Sequence, residues 1–525
     1  MLFPGAVTLS AQSAGYQQAP SLVVVITVDQ LRPDYYARYR SQLTGGLRRL
    51  YEGGAVFTDA YQDHANTETA PGHSAILSGR FPNHTGIVLN TVGVPDPQSP
   101  LIGGGGPPAS PFRFRGSTLI DWMRTNDPRS RALSVSRKDR GAILPLGRAH
   151  QSVYWYASGR FTTSTYYADT LPDWVRSFNA LRIPERSAGK SWTPLLPDSA
   201  YTEKDDVIYE GEGDPTTFPH VLSSDSARAA LEYVEFPWMD SLTVQLALKG
   251  VRELGLGTSD LPDLLAISLS TTDAVGHRYG PDSKEMHDQI LRVDKYLGTL
   301  LDSLYASRDS TQIVVALTAD HGVAPYPEFH TELHPVPAGQ YVPNVDLRPL
   351  IASFQTALAK TNINPAAFHL DEWALIVDRR EFDGVLNADS VIDSFAAAAR
   401  RLPGVLRADR PRDLFRADTL HDAVMRRWVH AIPQDSPIEL VITLTPYTLL
   451  GPRGYAEHGT PYDYDAHVPM LFYGPQFARG QYHEFSRVVD MAPTLAYLLG
   501  IKPTELLDGH ILMSAMRRPG NAGMR

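Results

Sequence analysis

The sequence predicts a doubly wound α/β fold: a mostly parallel sheet with helices on both faces. Three observations predict it. Leu22–Val28, Asp263–Leu269 and Ile313–Thr318 are apolar nearly throughout, without the alternation of a strand that has one wet face. Such runs suit central parallel strands covered on both sides. Helical periodicity lies between them, most clearly over 284–304, where Ile290, Val293, Leu297, Leu300 and Leu301 recur at helical spacing. Each run leads into a carboxylate, Asp29, Asp273 or Asp320, at the carboxyl end of its strand. That is the rim on which open α/β sheets hold their ligands.

The elements follow in order. Residues 1–20 are weakly apolar, then small and polar, and read as a leader or a signal-peptide remnant. After Leu22–Val28, a helix is expected at Gly46–Glu52 and a strand at Ala55–Tyr61. Asn66–His73 reads as a strand-to-helix turn, with Ser74–Gly79 a short helix closed by glycine. Phe81–Asn90 reads as a loop. The glycine-rich stretch 103–111 reads as a surface excursion, because no strand and helix flank it as a nucleotide fingerprint requires. Leu119–Arg124 is an expected helix, and Arg131–Val135 a strand that runs into Ser136–Gly141. Residues 158–237 are irregular and aromatic, the mark of an insertion. The helical pattern returns at Asp240–Leu254. Residues 328–436, with their own helices at Leu347–Lys360 and Ser390–Arg401, form a second insertion. Leu440–Leu444 is another strand, and Val468–Tyr473 with the helix Ala492–Leu499 returns to the core. Residues 21–525 are thus one domain interrupted twice.

With 525 residues and 43% hydrophobic content, the chain buries a large core. Its net charge of −10 excludes nucleic acid as a bulk partner, and an anionic substrate needs local positive charge or metal. No cysteine is present, so disulfides and thiolate chemistry are excluded and any zinc must use His and carboxylates. No stretch is long and apolar enough to span a membrane.

Thr69 lies where the helix after the turn begins, where unpaired backbone N–H groups and the helix dipole favour an anion. Ala70 and Gly72 add little bulk beside it. Alone, such a threonine is more often a helix cap. The metal-type ligands elsewhere change the balance: Asp29, then Asp273 with His277, then Asp320 with His321, and a distant His458-Gly459. Asp-x-x-x-His puts two ligands on one face of a helical turn. Lys138 and Arg140 alternate, so an extended strand end would aim both the same way, at a phosphoryl group. Asn90 adds a neutral donor. A lone Lys-Asp-Arg is usually a solvated turn. His73 is expected to support its helix rather than to bind metal, and His330 and His334 to sit on a loop surface. His458 is preferred to His467 as the distant ligand.

In this order, Asp29, Thr69, Asp273/His277, Asp320-His321-Gly322 and His458-Gly459 resemble the motifs of the alkaline phosphatase superfamily, over roughly residues 21–325 and 436–512. Thr69 with Asn90, Lys138 and Arg140 resembles its PafA-type, phosphate-irrepressible members. The resemblance implies two Zn2+: one held by Asp273, His277 and His458, the other by Asp29, Asp320, His321 and the Thr69 oxygen. It implies hydrolysis of phosphate monoesters through a phosphothreonine, in a periplasmic or secreted enzyme whose partners are small-molecule substrates. A monomer is the default expectation. The alternative is a phosphodiesterase or nucleotide pyrophosphatase on the same bimetal site. Sulfatases are disfavoured, because Thr69-Ala70-Pro71-Gly72 lacks the Cys or Ser that becomes formylglycine. A non-catalytic binder on a degenerate scaffold is disfavoured because every expected ligand is present.

Overall fold

The computed structural model describes residues 19–208, 210, 216–334, 342–451 and 456–517, so the expected leader lies almost wholly outside the described residues. Among the described residues the central sheet has nine strands. In chain order they are β1 (Leu22–Val28), β2 (Ala55–Phe57), β3 (Ala132–Ser136), β4 (Ser152–Ala157), β5 (Arg160–Thr162), β6 (Asp263–Leu269), β7 (Ile313–Thr318), β8 (Met470–Tyr473) and β9 (Gly480–Tyr482). Across the sheet they run β9-β2-β8-β7-β1-β6-β3-β4-β5. β5 and β8 are antiparallel to their neighbours, and the other strands share one direction. β1 is buried on both faces, as its unbroken apolar run requires.

Register places the rim. Thr27 pairs with Thr318 and Val28 with Leu269, so Asp29 leaves β1 level with Asp320 after β7 and Ser270 after β6. β8 is antiparallel for a topological reason. The chain leaves β7 at the carboxyl rim, makes there the second excursion (the second insertion, from about residue 328), and must re-enter the sheet running back.

Several expectations are corrected. The strand expected over Ala55–Tyr61 breaks after Phe57, and Ala60–Tyr61 pairs instead with Ser486–Arg487. The helix after the turn at 66–68 begins at Thr69 and ends at Ile76, earlier than the Ser74–Gly79 expectation. Pro71 is tolerated there because its missing N–H falls in the first turn. The loop expected at Phe81–Asn90 carries a short helix, Pro82–Thr85. The sheet continues past 158: β4 and β5 form a hairpin through Ser158 and Gly159, both with positive φ. The second excursion has its own antiparallel sheet, ordered Phe368–Asp371, Ala374–Val377, Ile438–Leu444, Val405–Asp409. It therefore extends beyond 436, and the apolar run near 440 belongs to it. Finally, Ser136–Gly141 is not an extended strand end. β3 stops at Ser136 and Lys138 precedes the helix Asp139–Ile143, so Arg140 sits in its first turn.

Gly72 brings the helix Thr69–Ile76 against the loop after β7. A Cβ there would run into the Asp320 backbone carbonyl. Gly→Ala inside a helix ordinarily stabilises by about 1 kcal/mol. Here Gly72→Ala is expected to destabilise by about 1–3 kcal/mol, the range for overpacking, in urea unfolding. A neutral or stabilising result would show that the two elements are not in contact.

Candidate active site on the carboxyl rim

The rim gathers side chains from four places: the end of β1, the helix starting at Thr69, the helix Thr271–Tyr279 after β6, and the loop after β7. A fifth segment, around His458, joins them from beyond the second excursion. Asp29, Thr69, Asp273, Asp320 and His321 are all buried.

Two donor groups result. In the first, Asp273, His277 and His458 offer ligand atoms within 4.8 Å of one another, as do Asp29, Asp273 and His321 in the second. The Asp273 Oδ1 to His277 Nε2 distance is 3.1 Å, confirming that Asp-x-x-x-His faces one way on its helix. His458 Nε2 lies 3.2 Å from His277 Nε2. His458 also stacks on His321 at a centroid distance of 3.6 Å. In all three imidazoles Nδ1 faces a backbone carbonyl: Ala456 for His277, Thr67 for His458 and Gly322 for His321. That contact orients the ring and turns Nε2 toward the other donors, the arrangement metal-binding histidines use.

Asp320 is placed differently. Its Oδ1 accepts the backbone N–H groups of Gln30 and His321, and its Oδ2 is 3.1 Å from His73 Nδ1. Its Oδ2 nonetheless lies only 3.7 Å from His321 Nε2. Asp29 Oδ1 and His321 Nε2 are buried without a hydrogen-bond partner among the described residues. Buried polar atoms of this kind need a partner, and a cluster of hard oxygen and imidazole donors fits a divalent metal.

Electrostatics agrees with this geometry. Burial, with Asp320 next in weight, raises the Asp29 carboxyl above its ordinary range. Burial pulls Asp273 the same way, but Lys138 and His277 outweigh it and hold Asp273 well below that range. Burial opposes charge on His277, yet Asp273 and Glu457 carry it up to about 10. His321 is depressed by burial and then by His458.

Lys138 is the hinge of the cluster. Its ammonium is 2.7 Å from both Asp29 and Asp273 and donates to the Thr69 hydroxyl at 3.0 Å. Arg140 does not share that contact; it lines the cleft with its Nε buried and without a hydrogen-bond acceptor. Asn90 lines the same cleft, and its Oδ1 accepts the Ala70 N–H at 2.9 Å, leaving its amide N–H groups as donors. The cleft measures about 350 Å³, and the second excursion supplies one wall, including Trp373, Leu444 and Leu450.

The other histidines separate cleanly. His73 supports Asp320 and donates to or accepts from Ser268 Oγ. His467 turns away, with Nε2 2.9 Å from the Thr58 carbonyl and its ring on Tyr61. His330 and His334 line another cavity with His467. Sequence reasoning missed Gln30, Glu68, Glu457 and Trp373. Glu68 and Glu457 flank singled-out residues and were within reach of that reasoning. Trp373 carries no local signal.

The description of the type I phosphodiesterase / nucleotide pyrophosphatase family matches residues 23–386. The chain is 29% identical to alkaline phosphatase PafA of Elizabethkingia meningoseptica, covering 94% of each. It is 31% identical to alkaline phosphatase PhoV of Synechococcus elongatus, covering 95% of this chain and 93% of the relative. The crystal structure of wild-type PafA superposes with a TM-score of 0.86 at 27% identity, over 95% of this chain and 99% of the other. The fold is therefore PafA-like, with full-length alkaline phosphatases as relatives and a rim of clustered donors suited to metal-dependent phosphoester chemistry. The chain belongs to the type I phosphodiesterase / nucleotide pyrophosphatase family of the alkaline phosphatase superfamily, and it is a phosphoester hydrolase.

Proposed function

We propose that the protein is a zinc-dependent phosphomonoesterase with Thr69 as nucleophile. One observation carries the reading: a single hydroxyl, Thr69 Oγ, lies beside the Lys138 ammonium, which also touches a carboxylate from each donor group. Asp273, His277 and His458 would hold one Zn2+; Asp29, Asp320, His321 and the Thr69 oxygen would hold the other. Bound there, the metals supply Lewis acidity to the entering and departing oxygens.

The rest falls to the chain's own groups. Thr69 Oγ attacks phosphorus, forming an O–P bond as the bond to the substrate alcohol breaks. The proton that Thr69 Oγ loses leaves on the alcohol, and water then cleaves the phosphothreonine, its oxygen going to inorganic phosphate and one of its protons restoring the Thr69 hydroxyl. Lys138 and Arg140 counter the charge of the non-bridging oxygens, and Asn90 donates an amide N–H to one of them. A monoester carries more negative charge than a diester, so two cations favour the monoester. The family match keeps phosphodiester hydrolysis as the second reading. Turnover of an aryl phosphate, a bis-aryl phosphate and an aryl sulfate, measured side by side, tests the order.

The leader-like first twenty residues support a periplasmic or secreted location. Among the described residues, no helix is long and apolar enough to cross a membrane.

Metal analysis is expected to find about two zinc ions per chain, with activity lost on chelation and restored by zinc. Because a metal must displace the proton that His277 holds up to about 10, uptake should release protons and weaken as pH falls. Full activity in metal-free protein would refute the reading. Asp320→Ala should lower the melting temperature of the zinc-loaded protein more than that of the chelated protein, by loss of ligand stabilisation.

A further inference from the structure

The turn before the nucleophile is strained and is held from outside the core. Asp63 and Asn66, neither of them glycine, have φ of 26° and 48°. Such left-handed backbone costs energy outside glycine and persists only when its surroundings enforce it. Both residues are held by the second excursion. Arg426 Nη2 contacts Asp63 Oδ1 at 2.9 Å, and His430 Nδ1 is 2.7 Å from the Asp63 carbonyl. The Ala65 N–H donates to the Arg427 carbonyl at 2.8 Å. Trp373, in the turn of the hairpin between Phe368–Asp371 and Ala374–Val377, donates its indole N–H to Asn66 Oδ1 at 2.9 Å.

From Asn66 the contacts continue into the site. The Asn66 amide donates to Glu68 Oε2 at 3.2 Å, and that same oxygen accepts the Asn90 backbone N–H at 2.8 Å. Asn90 Oδ1 then accepts the N–H of Ala70, the residue after Thr69. The hairpin makes a second hold on this segment, because the Thr91 hydroxyl donates to Asp371 Oδ2 at 2.5 Å. Every side chain in the relay from Trp373 to Glu68 is buried.

We infer that Trp373 is a positioning residue of the active site: through Asn66 and Glu68 it fixes the amide of Asn90 relative to Thr69. The inference rests on the role proposed for Asn90. Its physical basis is that catalysis tolerates little misplacement, since about 1 Å can cost on the order of 10²-fold. The Asn66 amide also donates to the Val88 carbonyl at 2.5 Å, so the Trp373 N–H is the contact that fixes its Oδ1, and losing it frees the side chain that aligns Glu68 and, through it, Asn90.

Trp373→Phe keeps an aromatic ring on the side of Trp428, whose ring centroid is 4.4 Å away, but removes the N–H together with part of the ring, so the packing loss is judged by the zinc content and by Asn66→Gly, which leaves Trp373 in place. In the zinc-loaded full chain, this variant is expected to lower kcat for an aryl phosphate by about 10- to 100-fold with KM changed far less. Asn66→Gly, which accepts the positive φ but lacks the relay amide, should do the same. The double variant should be no worse than the poorer single variant, since both cut one chain of contacts. In an Asn90→Ala background, Trp373→Phe should have no further effect on kcat. A kcat for Trp373→Phe within about twofold of native overturns the inference, as do multiplicative losses in the Asn90→Ala background. If Asn90→Ala alone leaves monoester turnover unchanged, the role of Asn90 itself has failed, a result distinct from either of these. A fall in zinc content matching the fall in kcat would also overturn the inference, by showing that Trp373 supports the fold and metal sites rather than the amide.

Discussion

Thr69→Ala is expected to reduce turnover of an aryl phosphate by about 10³-fold or more, equivalent to roughly 4 kcal/mol or more of barrier. The size follows from the reading that Thr69 forms the covalent bond, so that its loss removes a step rather than weakening a contact. Thr69 opens its helix, and its hydroxyl makes no cap: the residue before it, Glu68, is at the N-cap without a side-chain cap bond. Deleting the hydroxyl should therefore change stability by no more than about 1 kcal/mol, the scale of one hydrogen bond, here the one from Lys138. Most zinc should remain, because the other ligands are untouched. Thr69→Ser should retain substantial activity, since it keeps an oxygen in the same place. Acid quenching during turnover of labelled substrate should recover phosphate on Thr69 in the native protein. Label on another residue, or near-native turnover by Thr69→Ala, would remove Thr69 from the mechanism.

The parts of this molecule that were legible in the sequence share a physical cause. β1, β6 and β7 are covered on both faces, so composition alone marks them, and their equal register puts Asp29 and Asp320 on one rim. The Asp273 and His277 pair was legible because a helix fixes the spacing of its own side chains. β4 was not, because Val153, Tyr154, Trp155 and Tyr156 are all buried in a run of aromatics that resembles the irregular segment after it. The placement of Lys138 and Arg140 depended on where β3 stops. Gly141 packs against Ser136 and Ser268, and the chain turns into a helix there instead of staying extended. Trp373 was beyond reach for a different reason. Its contact spans 307 residues, and nothing in the hairpin sequence points to Asn66. The core of the site is thus written in local spacing, whereas its support from the second excursion is written only in tertiary contacts.

That support does not bear on monoesters against diesters; in the proposed function Lys138 and Arg140 carry that choice. A monoester places three non-bridging oxygens and about two negative charges in the site, and a diester replaces one oxygen by an ester group. Lys138→Ala/Arg140→Ala is expected to lower kcat/KM for the monoester by about 30- to 1,000-fold, or roughly 2–4 kcal/mol. Diester turnover should stay within about tenfold, near 1.4 kcal/mol. The two single variants need not add, because both cations meet one anion. The structure also makes them unequal. Lys138 contacts Asp29 and Asp273 as well as Thr69, whereas Arg140 keeps to the cleft wall. Lys138→Ala should therefore alter metal affinity too, because it removes the cation between two buried carboxylates, while Arg140→Ala should leave it unchanged. Zinc content measured beside kcat/KM separates the two effects. A selective loss of monoester turnover in Arg140→Ala at full zinc content supports a site built for monoesters. Equal losses on both substrates would mean that the pair sustains the metal cluster rather than reading the phosphoryl group, and phosphodiester hydrolysis would become the better account of the site.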